Sequence, residues 1–198
     1  MSEKKNKGGH QKRIVDIHNH ILPALDDGSR SMQETIDMLR LASEDGITDI
    51  IVTPHFNKGR KSAPPAAILQ TIKKVEQEAK RQQIDISLYP GNEIFYYRDV
   101  EEAIEAEELC TLNHSEHILV EFSPSESFVY IQNAMDSLSG MGYTPILAHV
   151  ERYECMLNNL ENVEHLRTIN VEIQVNASSV VGEVGHRVKK YAHQLIKN

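Results

Sequence analysis

Cysteine is scarce in this sequence: Cys110 and Cys155 are the only two among 198 residues. Neither belongs to a CxxC pair, which argues against a disulfide framework or a thiolate zinc cluster and points to a reducing, cytoplasmic compartment. Long apolar runs are missing as well. No window reaches the length of a membrane-spanning helix, and nothing resembles a secretory signal, so no membrane insertion is expected. Basic charge is also short, at 21 Lys and Arg against 29 Asp and Glu, a net charge of −8. A polyphosphate binder needs a basic face, so nucleic acid is not an expected partner. The basic residues that do occur crowd the start: residues 1–13 carry a local +4. This segment reads as a flexible basic extension. Residues 14–198 then form one domain, with no linker, low-complexity tract or fixed-period repeat to divide them.

What the sequence has in place of these features is alternation. Short apolar runs rich in β-branched residues recur at Ile14–His18, Asp49–Thr53, Ile84–Tyr89, His117–Phe122, Thr144–His149 and Val171–Val175. Each reads as a strand buried on both faces of a parallel sheet. Helix-like patterns lie between them, over Ser31–Asp45, Pro64–Gln83, Tyr97–Glu107, Ser125–Gly140, Leu160–Asn170 and Gly182–Ile196. Six strand–helix alternations define an α/β fold. A doubly wound sheet for a nucleotide would place a glycine-rich turn after the first strand, and none is present. Polar residues gather instead at strand C-terminal ends, where a (β/α) barrel collects its chemistry, so a barrel is favoured.

Ten histidines are many for this length, and their placement is informative. The first strand ends in Asp16-Ile17-His18-Asn19-His20, and alternation along an extended chain sends His18 and His20 to one side. Asp26-Asp27-Gly28 follows. Later strand ends carry Thr53-Pro54-His55, Gly91-Asn92-Glu93, Val120-Glu121-Phe122 and Ala148-His149, with Glu151, Arg152 and Tyr153 just beyond. Any one of these is an ordinary polar residue at a strand mouth. Five successive strands delivering His or Glu at the same end are harder to explain that way, because buried ionisable groups are costly unless paired or metal-bound. Imidazole with carboxylate suits Mn, Fe or Zn, and the set is large enough for more than one ion, which favours in-line phosphoryl hydrolysis. His114, His117, His165, His186 and His193 lack such neighbours and read as surface residues, and His10 lies in the extension. Neither cysteine precedes an arginine at the spacing that thiolate-dependent tyrosine phosphatases require, which excludes that chemistry.

These strings, together with Gln174-Val175-Asn176-Ala177-Ser178-Ser179, resemble the bacterial manganese-dependent protein-tyrosine phosphatases of the polymerase-and-histidinol-phosphatase (PHP) superfamily, which are encoded with capsular and exopolysaccharide genes. The resemblance runs from about Ile14 to the last residue. It implies a distorted (β/α)7 barrel around up to three divalent ions, Mn²⁺ foremost, with Fe, Co or Zn as alternatives. His18 and His20 would bind the first metal, and Glu93 would bridge it to the second. Glu121 and His149 would complete the second site, and Asp27 and His55 would hold the third. Arg152 would grip the substrate phosphate, and a metal-activated water would attack phosphorus. The implied partner is a phosphotyrosine protein, a bacterial tyrosine kinase governing polysaccharide export. Family members also form rings, so a homo-oligomer is admitted.

The resemblance further implies a seventh strand beyond Asn198, carrying one ligand of the first metal and one of the third. On this reading only six βα units are present, the barrel is C-terminally incomplete, and the first and third sites each lack a ligand. Two alternatives stay open: a truncated, inactive remnant that binds a metal or a kinase, and a phosphatase acting on a small phosphomonoester.

Overall fold

The computed structural model describes residues 13–197. Residues 1–12 of the predicted basic extension lie outside the described residues. Arg13 is described, and its guanidinium pairs with Asp49, Nε donating to Oδ2 at 2.9 Å.

The chain is an α/β fold of parallel strands with helices on their outer faces. Strands β1 (Ile14–Asp16), β2 (Ile47–Val52) and β4 (Ser87–Pro90) form one sheet in the order β1-β2-β4. Strands β3 (His55–Phe56), β5 (Glu93–Phe95), β6 (His117–Glu121), β7 (Thr144–Leu147) and β8 (Glu172–Ile173) form a second, in the order β3-β5-β6-β7-β8. Every pairing is parallel. The two sheets are consecutive parts of one surface, because β2 continues into β3 across Thr53-Pro54 and β4 into β5 across Gly91-Asn92. Proline removes the backbone N–H that would extend the ladder, so the break after Val52 is local chemistry. Gly91 has a different cause. A Cβ there would press on Ile51, Leu112 and the Val52 carbonyl, so only glycine lets the strand pass.

The sequence-based strand Ile84–Tyr89 therefore begins later than expected, at Ser87, and a further strand, β5, follows it. Tyr97–Glu107 contains helix only over α3 (Val100–Glu105). The expected helix Gly182–Ile196 starts four residues later, as α7 (His186–Lys197), and a short helix that was not expected, α6 (Ala177–Val181), precedes it and ends at Gly182, whose φ is +99°.

Helix starts follow their capping residues. In α1 (Met32–Glu44) the Ser31 hydroxyl accepts the Glu34 N–H at 3.2 Å, and the Glu34 carboxylate accepts the Arg30 N–H at 2.7 Å. Such reciprocal bonds satisfy donors that the first turn leaves unpaired. α2 (Pro65–Arg81) has proline in its first turn, where no N–H is missed. Ser127 caps α4 (Phe128–Gly140), and Asn159 caps α5 (Leu160–Thr168).

Strand alternation sorts the core into an outer and an inner layer. Ile50, Val52 and Leu88 pack in one cluster with Ile36 and Leu39 of α1 and Ile68 and Val75 of α2. Ile118, Val120 and Leu147 share another with Ile131 and Met135 of α4. The opposite face carries Ile17, Ile51, Leu119, Ile146 and Ala148. Cross-strand register puts His55 beside Glu93, Glu93 beside Leu119, and Leu119 beside Ile146. Side chains in one such row share a face. The inner apolar layer thus continues directly into a row of His and Glu.

Candidate metal centre

All eight sequence-predicted residues, His18, His20, Asp27, His55, Glu93, Glu121, His149 and Arg152, line one open cavity of about 700 Å³. The remaining described histidines, His114, His117, His165, His186 and His193, do not line it.

Glu93 is the focus. It is 1% exposed, yet its two oxygens face four imidazoles. His18 Nε2 lies 3.1 Å and His149 Nε2 3.0 Å from Oε1, while His20 Nε2 and His55 Nδ1 each lie 3.1 Å from Oε2. Glu121 stands next to it, 3.0 Å from His55 Nδ1 and 3.5 Å from His149 Nε2. Asp27, largely exposed, reaches His55 Nε2 at 3.5 Å. Burial raises a carboxyl pKa, but hydrogen bonds from His149, His18 and His20 outweigh it and hold Glu93 far below the usual carboxylate range. Burial likewise opposes protonation of His20, and Asp26 with Glu93 overcomes it and lifts the imidazole to about 10. His149 rises to about 9 against its own burial because Glu121 and Glu93 face it. His55 is raised too, chiefly by its bond to Glu121.

The second nitrogen of two of these rings is fixed by residues the ligand prediction did not include. Asp26 Oδ2 lies 2.6 Å from His20 Nδ1 and also accepts the His55 N–H at 3.1 Å. Gln174 Oε1 lies 3.0 Å from His18 Nδ1 and accepts the His149 N–H at 2.6 Å. Both acceptors engage Nδ1 and turn Nε2 toward Glu93, the orienting arrangement expected around metal-ligating histidines. The signals were in the sequence, as Asp26 beside Asp27 and Gln174 at the last strand end. Only the fold shows which imidazole each one meets. Gly28 allows the Asp26 loop its position, since a Cβ there would overlap the His20 carbonyl and side chain.

His149 departs from the expected strand. Its φ of 36° and ψ of 51° are left-handed, and it opens a 3₁₀ turn over Val150–Arg152. A non-glycine residue there stores roughly 1–3 kcal/mol of strain, which neighbouring bonds must offset. Gln174 supplies two: its side chain accepts the His149 N–H, and its carbonyl accepts the Val150 N–H at 3.0 Å. Glu151, 1% exposed, anchors the far side of the turn by accepting from the Ser179 hydroxyl at 2.6 Å and the Asn176 N–H at 3.2 Å. The turn carries Arg152 outward, and its guanidinium makes no ion pair among the described residues.

The donor set fits divalent metal. Two ligand atoms about 2.1 Å from one ion, at right angles, stand about 3.0 Å apart, close to the separations around Glu93. Three groups, His18/His20/Glu93, His20/Asp27/His55 and His55/Glu93/Glu121, each gather their ligand atoms within 4.8 Å. Four imidazoles around one carboxylate are a costly purely structural cluster. The cysteines offer no rival centre: both thiols are free, and burial pushes Cys110 up to about 11.

Residues 14–198 match the family model described as capsular polysaccharide synthesis, CpsB/CapC. The tyrosine-protein phosphatase YwqE of Bacillus subtilis is 33% identical over 184 residues, covering 93% of this chain and 72% of that protein. The tyrosine-protein phosphatase CpsB of Streptococcus pneumoniae is 34% identical over 167 residues, covering 84% of this chain and 69% of that one. A crystal structure from the work on YwqE and CpsB, described as unique metal-dependent tyrosine phosphatases, superposes with a TM-score of 0.87 at 33% identity, over 93% of this chain and 74% of that one. The chain belongs to the CpsB/CapC family of capsular polysaccharide synthesis.

Proposed function

We propose that this protein is a metal-dependent protein-tyrosine phosphatase, a phosphomonoester hydrolase whose site is the strand-end cavity. The observation that carries the reading is Glu93 at the meeting point of His18, His20, His55 and His149 in a member of this family. His18, His20 and Glu93 would hold one divalent ion, Glu93, Glu121 and His149 a second, and Asp27 and His55 a third. Mn²⁺ is the preferred ion. Bound divalent ions supply a water of lowered pKa and positive charge opposite the phosphate oxygens.

The chain's own residues do the rest. Arg152 lines the cavity, and its guanidinium, which makes no ion pair among the described residues, has a planar fork that suits two phosphate oxygens. Asp26 and Gln174 fix His20 and His18 before substrate arrives, so little reorganisation is left for the reaction.

The wider reading is a (β/α)7 barrel. Among the described residues no ladder joins β8 to β1. Ile14 and Val15 on β1 are 47% and 49% exposed, apolar surface that a seventh strand or a second copy would cover. The substrate we assign is phosphotyrosine on a cytoplasmic bacterial tyrosine kinase of capsule synthesis.

The test pairs metal analysis with turnover. Protein reloaded with Mn²⁺ releases phosphate from p-nitrophenyl phosphate and phosphotyrosine peptides, faster than from histidinol phosphate, and carries more than one ion per chain. Turnover that survives chelation or His18→Ala would remove this reading. Faster release from histidinol phosphate would change the substrate class.

A further inference from the structure

A second cavity, of about 580 Å³, shares His55, Glu121, His149 and Arg152 with the metal centre and extends away from it. Its far end is the loop leaving β3, and that end is basic: Arg60 and Lys61 line it, both exposed. Phe95, Phe122 and Pro124 add apolar surface to its lining.

The loop is built to present these cations. Asn57 N–H donates to the Ser62 hydroxyl at 2.9 Å, and Arg60 N–H donates to the Asn57 carbonyl at 3.0 Å. Gly59 makes the turn with φ of +82°. Lys58 points elsewhere, with Nζ 4.6 Å from the centre of the Tyr97 ring. Arg60 and Lys61 make no ion pair among the described residues, whereas Arg13, Arg40, Arg81 and Arg167 each pair with a carboxylate. The carboxylates in the same cavity, Asp26, Asp27 and Glu121, are all engaged with imidazoles. Arg60 and Lys61 thus place positive charge at the edge of the site in a chain of net charge −8.

We propose that Arg60 and Lys61 form a specificity subsite for an anionic group next to the phosphotyrosine of the substrate peptide. The tyrosine ring lies along Phe95, Phe122 and Pro124, Arg152 takes the phosphate, and the flanking anion meets Arg60 and Lys61. The anion is a carboxylate or a second phosphate. This rests on the phosphatase reading for its substrate and deepens it.

The test measures binding and turnover separately on the Mn²⁺-loaded full chain. Fluorescence anisotropy follows peptides bearing a non-hydrolysable phosphotyrosine mimic, flanked by Asp and Glu, by phosphotyrosine mimic, or by Asn and Gln. Exposed charge pairs contribute modestly, so a preference of roughly 3- to 10-fold for the anionic peptides is expected, and it should shrink with salt. Arg60→Ala with Lys61→Ala removes the preference, Arg60→Glu with Lys61→Glu reverses it, and Arg60→Lys with Lys61→Arg keeps it. The ranking of the two anionic peptides identifies the group that is read. An equal preference in the wild type and the alanine pair, or none in the wild type, would overturn the subsite. Preference without hydrolysis of any phosphotyrosine peptide would retain the subsite and overturn the phosphatase reading.

Discussion

Gln174→Ala tests whether the site is held by residues outside the ligand set. The side chain accepts the His149 N–H at 2.6 Å and meets His18 Nδ1 at 3.0 Å, so one truncation releases two imidazoles. His149 is 6% exposed and left-handed, and the Gln174 side chain is the acceptor of its backbone N–H. Leaving such a donor unsatisfied costs about 1–3 kcal/mol. For a chain of this size that lowers Tm by roughly 2–12 °C. His18 also loses the bond that fixes its tautomer, and loss of such an orienting partner weakens metal binding about 10- to 100-fold. Isothermal titration with Mn²⁺, together with a thermal melt of the metal-free protein, reads both effects. Gln174→Glu keeps an acceptor for each partner and should retain most of the affinity. If Gln174→Ala binds Mn²⁺ like the wild type, or if the glutamate variant falls as far as the alanine, the positioning argument is wrong.

Arg152→Ala should lower kcat/KM for phosphotyrosine peptides by about 10- to 100-fold, the scale of a charged hydrogen bond, while a melt shows little change because the side chain is exposed. Tyr153→Phe should cost about 1–3 kcal/mol of stability, because the Phe122 N–H loses its acceptor at 3.1 Å inside the core; chemical denaturation reads this. In chelator, stability should be highest between about pH 4.5 and 6.5, the ordinary values for Glu and His. His20 and His149 are raised when folded, so their contribution is complete below the unfolded value and is lost as pH rises toward 9 to 10. Glu93 is depressed when folded, so its contribution is present above the unfolded value and is lost on acidification. Mn²⁺ affinity should run the other way and rise with pH, because a metal must displace the imidazole protons. Melts across pH in chelator, with parallel Mn²⁺ titrations, check both slopes.

That the candidate residues would meet at one end of the strands was legible because strand alternation is a local rule. Glu121 two residues after the apolar Leu119 follows from period two, and register sets Glu93 beside His55; β1 ends at Asp16, short of the expected His18, so His18 and His20 reach the cavity from the segment beyond the strand. The parallel α/β class was legible for the same reason. The break of the sheet at Pro54 and Gly91, and the short helix that ends at Gly182 ahead of the last one, depended on single residues whose effect is decided by their neighbours in space. The left-handed turn at His149 was hidden entirely, because its cause is Gln174, 25 residues away. Asp26 and Asp27 are adjacent, and sequence could not divide their tasks: one meets His20 Nδ1, the other His55 Nε2.

The central claim is that Glu93 gathers metal for phosphotyrosine hydrolysis, and the direct measurement is phosphate release from a phosphotyrosine peptide against added Mn²⁺, for chelated wild type and Glu93→Gln. The account predicts saturable recovery in the wild type. It predicts at least a hundredfold lower plateau in Glu93→Gln, since four imidazoles lose their shared carboxylate and breaking a buried charged contact costs about 3–5 kcal/mol. Equal plateaus, or wild-type release that needs no Mn²⁺, would contradict it.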